Sequence, residues 1–182
     1  MVQAMAHQAA LTDWGSFYVI TGSAAAALTG LQFVVMALVT EIRGQSTESL
    51  IDTFSTPTIV HFCAVLLVSA ALSAPWQSLR GPAYLLGACG ISGAIYALLV
   101  ARRTRQQLTY KPVMEDWVWH VALPLIAYAT LLTAALILMR QETVAMFITS
   151  SAVLLLLFVG IHNAWDTVSY IVVERVPEKK GD

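Results

Sequence analysis

Five predominantly apolar stretches, near residues 16–40, 53–74, 82–101, 117–139 and 144–168, take up most of this 182-residue chain. Each reaches the roughly 20 residues a helix needs to cross a hydrocarbon layer. Too little chain lies between them for a soluble domain, so residues 1–182 read as a single transmembrane domain. Hydrocarbon offers no water to the backbone, which leaves helices or closed barrels as spanning structures. The expected fold is therefore all-α, a polytopic integral membrane bundle of five transmembrane helices. Composition agrees, with 58% hydrophobic and only 12% charged residues, against about 25% charged in a soluble domain. A formal charge of −1 lacks the basic face that nucleic acid requires. The bilayer is the first partner the sequence implies.

The opening segment MVQAMAHQAALTDWG contains no Lys or Arg and no long apolar core, so no cleavable signal peptide is expected. Thr12 or Asp13 in LTDW is suited to cap the first helix. No internal repeat is visible, and an odd number of helices does not divide into two inverted halves.

The basic residues set an orientation. Arg80 and Arg140 follow the second and fourth spans, whereas Arg43, Arg102, Arg103, Arg105, Lys111, Arg175, Lys179 and Lys180 follow the first, third and fifth. The positive-inside rule places the richer side in the cytoplasm. The N-terminus is then outside and the C-terminus inside, in a membrane of the bacterial inner type. Trp14, Tyr18, Trp76 and Tyr84 fall at outer ends, and Trp117, Trp119, Trp165 and Tyr170 at inner ends.

Two stripes of small residues point to close helix packing. Gly22, Ala26 and Gly30 recur every four residues in the first span. Ala83, Gly87, Gly90, Ala94, Ala97 and Ala101 form a longer stripe in the third. Such stripes let backbones approach and drive association in lipid. They predict contact between helices one and three, or a seam to a second copy in a homo-oligomer. Cys63 and Cys89 fall mid-span without CxxC spacing, as small apolar side chains do.

Polar residues within the spans gather in the expected inner half. They are Thr58 and His61 in the second helix, His120 in the fourth, and His162, Asn163 and Asp166 in the fifth. Titratable groups in a span generally face the bundle interior or a water-filled cavity. His162 and Asp166 are four apart and share a helix face, so the carboxylate can accept the imidazole N–H. Gln32 and Tyr96 are candidates to complete a polar pocket. Pro57 and Pro124 each remove a backbone donor, so kinks are expected in the second and fourth helices.

There is no GxSxG, HExxH, phosphate loop or TVGYG filter, so no catalytic signature is present. The leading expectation is a small oligomeric channel or channel-like transporter for ions, protons or a small polar solute. The inner His/Asp cluster would set selectivity or pH gating, and no cofactor is required. One alternative is a redox protein holding a metal or haem through His61, His120 and His162. Another is an accessory subunit of a larger membrane complex. Glu41, Glu48, Asp52 and Asp166 near the inner mouth favour cations, whereas the basic 102–111 segment opposes them.

The orientation is checked with single cysteines at Gln8 and at Gln107, in a chain lacking Cys63 and Cys89. An impermeant reagent should label position 8 in intact cells and position 107 only after lysis. Labelling of both from outside would require an even number of spans.

Overall fold

The computed structural model describes residues 13–43, 56–106 and 114–173. Thr12, Glu48 and Asp52 lie outside the described residues, as does the side chain of Glu41. Five helical segments appear in chain order: α1 (Gly15–Arg43), α2 (Thr56–Leu72), α3 (Arg80–Gln106), α4 (residues 114–137) and α5 (Glu142–Val173). No strand occurs among the described residues. Stretches of α1, α3, α4 and α5 (Gly15–Leu38, Arg80–Arg103, Val118–Ile137 and Glu142–Ser169) are long and apolar enough to cross a membrane. The fifth segment, α2, is apolar but has only 17 residues.

The short helix is the central one. Ten of its 17 residues are buried, and it packs against α1, α3 and α5. Only Cys63, Leu66, Leu67 and Ala70 form an exposed strip between Pro57 and Leu72. Helices α2, α3, α4 and α5 make a closed ring of neighbours, and α1 lies outside it against α2 and α5. Phe62, Val65, Val68, Leu86, Leu131, Met146 and Leu156 fill the interior, each at most 1% exposed. The outer surface is apolar as well. Val19, Ile20, Phe33, Ile91, Leu136 and Phe158 are all more than half exposed, a pattern that suits hydrocarbon rather than water.

Of the two prolines, Pro57 is the second described residue of α2, so the turn on which a kink there would depend lies outside the described residues. In α4 Pro124 has a visible effect. The helix is built from an α-turn (Met114–Trp117), a π-helical turn (Val118–Ala122) and an α-helix (Leu123–Ile137). Leu123 N–H donates to the carbonyl of Val118, five residues back. The proline ring displaces the carbonyl four residues before it, and the widened turn accommodates that displacement directly ahead of Pro124.

The small-residue stripes are used, but not with the expected partners. Helices α1 and α3 share no packed interface; α1 pairs with α2, and α3 pairs with α4. A Cβ added at Gly22 would lie 2.9 Å from Cβ of Ser69, and beside it Thr21 and Ser69 hydroxyls bond at 3.1 Å. A Cβ at Gly90 would lie 2.9 Å from the backbone nitrogen of Leu132 and 3.0 Å from the carbonyl oxygen of Tyr128. Gly87 is looser, with Ala135 at 3.7 Å, and Ala94 is packed at the edge of the core. Ala26 and Gly30 are exposed, and nothing lies within 4 Å of a Cβ at Gly30. The stripe on α1 thus contributes one contact, at Gly22.

These distances separate two neighbouring glycines. Gly87→Ala meets only ordinary contact and gains helix propensity, so thermal stability in detergent should hold or rise slightly. Gly90→Ala presses on backbone that cannot rotate away and should cost about 1–3 kcal/mol. Equal effects of the two substitutions would contradict the α3–α4 packing.

Candidate functional site

The buried face of α5 is read from its spacing: Thr149, Val153, Leu156, Gly160 and Asn163 recur at intervals of three and four, and all are buried. Asn163 is therefore the last member of a core stripe, and it is 0% exposed. His162 precedes it by one residue, about 100° around the helix. It looks outward between α4 and α5, with its side chain 25% exposed and that of Asp166 48% exposed. The sequence places His162 and Asp166 on one helix face and Asn163 on an adjacent one. The fold sets the first pair at the rim of the bundle and Asn163 in its interior.

At the rim, His162 Nδ1 and Asp166 Oδ2 are 3.0 Å apart. The approach lacks hydrogen-bond alignment, so this is an ion-pair contact for a protonated imidazole. One face of the ring is covered by Trp119, stacked at 3.7 Å between centroids and 7° between planes. Trp119 and His120 both belong to the π-helical turn of α4. The distortion next to Pro124 thus carries the only α4 residue seen stacked on α5 among the described aromatic pairs.

In the interior, His61 of α2 reaches across the ring to α4, and its Nδ1 lies 2.9 Å from the hydroxyl of Tyr128. Its Nε2 is buried without a partner. His120 is near enough to interact with it electrostatically. Thr58, 0% exposed, is one turn away on the same face of α2. The register of α5 on α2 is fixed by Gly160, where any Cβ would overlap the ring of Phe62. Because the two helices run in opposite directions, Asn163 falls level with Thr58 and His61. Both polar atoms of its amide are unpartnered. From α1, Gln32 is 3% exposed and its Nε2 is also unpartnered. It borders a shallow groove of about 230 Å³ with Phe62, Ile161 and Ala164.

Four helices thus contribute Gln32, Thr58, His61, His120 and Asn163 to one end of the bundle. Hydroxyls nearer the other end are satisfied by their own helices: Thr149 donates to Ala145 O at 2.8 Å, Ser150 to Phe147 O at 2.8 Å and Thr21 to Phe17 O at 3.0 Å. The hydroxyl of Tyr18, at that end, is unpartnered. Between the two polar levels lies an apolar layer of Val65, Val68, Leu131, Val153 and Leu156, each 0% exposed. A layer of amides and imidazoles can bond water, a proton or a small neutral or charged solute, and the apolar layer can block its passage.

No group of three or more His, Cys, Asp or Glu side chains among the described residues is arranged to hold a metal ion. His61 approaches His120, while His162 stands apart with Trp119 and Asp166, so the three histidines do not form one ligand set. Tyr128 and Trp119 were not singled out as site residues by the sequence. The eight-residue spacing of His120, Pro124 and Tyr128, two turns along one face, was the available signal for the tyrosine.

Comparison with protein-family models, with curated proteins and with solved structures gives no match in any of the three. The architecture itself, with four helices of spanning length and apolar surfaces, is compatible with a multi-pass membrane protein.

Proposed function

We propose that this protein is a small channel or channel-like transporter that passes protons, ions or a small polar solute across a membrane of the bacterial inner type. In this reading all five helices cross, the apolar α2 at the centre of the bundle among them. The end holding His61 and Asn163 faces the cytoplasm, as the distribution of basic residues requires. The observation that carries this reading is the set of buried, unpartnered atoms: His61 Nε2, both amide atoms of Asn163 and Gln32 Nε2. In a hydrocarbon setting each such atom costs free energy, and a leucine or alanine would remove the cost. Retaining them in one layer is accounted for if a hydrated species occupies that layer. The apolar level at Val65, Leu131 and Leu156 is then the gate, closed in the state described here. His162, held between Trp119 and Asp166 at the cytoplasmic rim, is the pH-responsive element. Ala26 and Gly30, exposed on α1, offer the surface on which a second copy would seat.

The test combines stability with flux in reconstituted liposomes. Asn163→Leu removes two unpaired polar atoms without a large change of volume. It should raise stability by about 1–3 kcal/mol while cutting flux severalfold. Leu156→Ala thins the apolar layer and should raise flux severalfold at a cost in stability. His162→Ala should flatten the pH dependence of flux. An Asn163→Leu protein that is less stable and conducts normally would overturn the proposal.

A further inference from the structure

The atoms left unpaired in the polar layer restrict what can pair with them, and the sharpest restriction comes from Asn163. It is 0% exposed, and both its amide oxygen and its amide nitrogen lack partners. Whichever way the amide is turned, an acceptor and N–H donors stand side by side and unused. A cation would pair with the oxygen and set its own positive charge against the N–H groups. An anion would do the reverse. A molecule that donates and accepts along one edge satisfies both atoms at once, as one carboxamide does for another, and removes the cost of burying them unpaired.

His61 suits the same kind of guest. Gly160 seats the ring of Phe62 against α5, which brings Asn163, three residues on, level with His61. Nδ1 of His61 is shared with the Tyr128 hydroxyl at 2.9 Å, and its Nε2 is buried without a partner. When the hydroxyl donates, Nε2 carries the proton and donates; when Nδ1 donates, Nε2 accepts. The ring therefore complements a neutral guest in either tautomer. A second imidazole, His120, lies within electrostatic range, so a proton on either ring would repel a cation in the layer. Asp166 offers its carboxylate at the rim, 48% exposed, and not in the layer. The rings of Phe62 and Tyr128, each 1% exposed, and the side chains of Val65 and Leu156, each 0% exposed, close around these atoms, so a guest has few heavy atoms. We infer that the species held in this layer is a small uncharged solute that donates and accepts hydrogen bonds side by side, of the urea or short-carboxamide class, and not an ion. The inference rests on the conduction reading and narrows it.

Two measurements on the full chain test it. In proteoliposomes, stopped-flow light scattering should show urea and acetamide equilibrating severalfold faster than in protein-free vesicles, while gradients of Na+, K+ and Cl− carry no current. Asn163 is the only asparagine in the chain, so asparagine labelled with 15N at its side-chain amide reports this one position without any substitution. In bilayers, 13C-urea should dephase that signal in a rotational-echo experiment, and unlabelled acetamide should reverse the effect. Asn163→Asp keeps the size of the side chain and removes its N–H donors, so urea flux should fall about fivefold, the loss of one hydrogen bond. Ion currents without amide flux would overturn this inference and leave the channel reading standing. An Asn163 signal untouched by 13C-urea would overturn it as well. Absence of flux for every solute and ion would remove the channel reading itself, and this inference with it.

Discussion

Hydrocarbon withholds hydrogen bonds, and nearly every feature of this bundle answers to that constraint. Helices satisfy the backbone within each segment. Hydroxyls follow the same economy: Thr21, Thr29, Thr130, Thr133, Thr149 and Thr167 each donate to a carbonyl four residues earlier. Trp76, in the α2–α3 connection, gives its indole N–H to Ala71 O at 2.6 Å. Against this background the unpaired imidazole nitrogen of His61, the amide of Asn163 and the amide nitrogen of Gln32 are exceptions concentrated at one end. Side chains of that kind are retained at a cost, which the hydrated layer proposed above would offset.

Geometry at that end follows from a few residues that set how closely helices approach. Gly160 admits the ring of Phe62 and brings α5 onto α2. Gly90 and Gly93 draw α4 onto α3 and position Tyr128, which then crosses to His61. Pro124 widens the turn that carries Trp119 and His120. One imidazole is thereby held under an indole at the rim, and another faces the interior. The short α2 can occupy the centre because its polar residues, Thr58, His61 and Ser69, all find neighbouring helices rather than the exterior.

Much of this was legible in the sequence. Run lengths gave helices at nearly the observed limits, and the four-residue spacing of His162 and Asp166 foretold their contact. Small residues marked where helices approach, since backbone proximity requires them whatever the partner. The partner itself was not legible: helix pairing depends on the angle at which each stripe leaves its helix, and α1 met α2 while α3 met α4. The sequence already set His162 and Asn163 on different faces; that Asn163 holds the buried one could have been read by extending the stripe from Thr149 to Asn163. The pairing of His61 with Tyr128 could not, because it joins helices that are not packed neighbours.

The central claim is that the layer containing His61 and Asn163 is wet, whereas the level at Val65 and Leu156 is dry. Water-edited solid-state NMR of the isotope-labelled protein in bilayers measures this directly, through the rate at which water polarisation reaches each side chain. The account predicts rapid build-up at the Asn163 amide and the His61 ring, and slow build-up at Val65 and Leu156. Equally slow transfer at all four positions would contradict it, leaving a dry bundle in which the unpaired polar atoms serve no conducted or bound species.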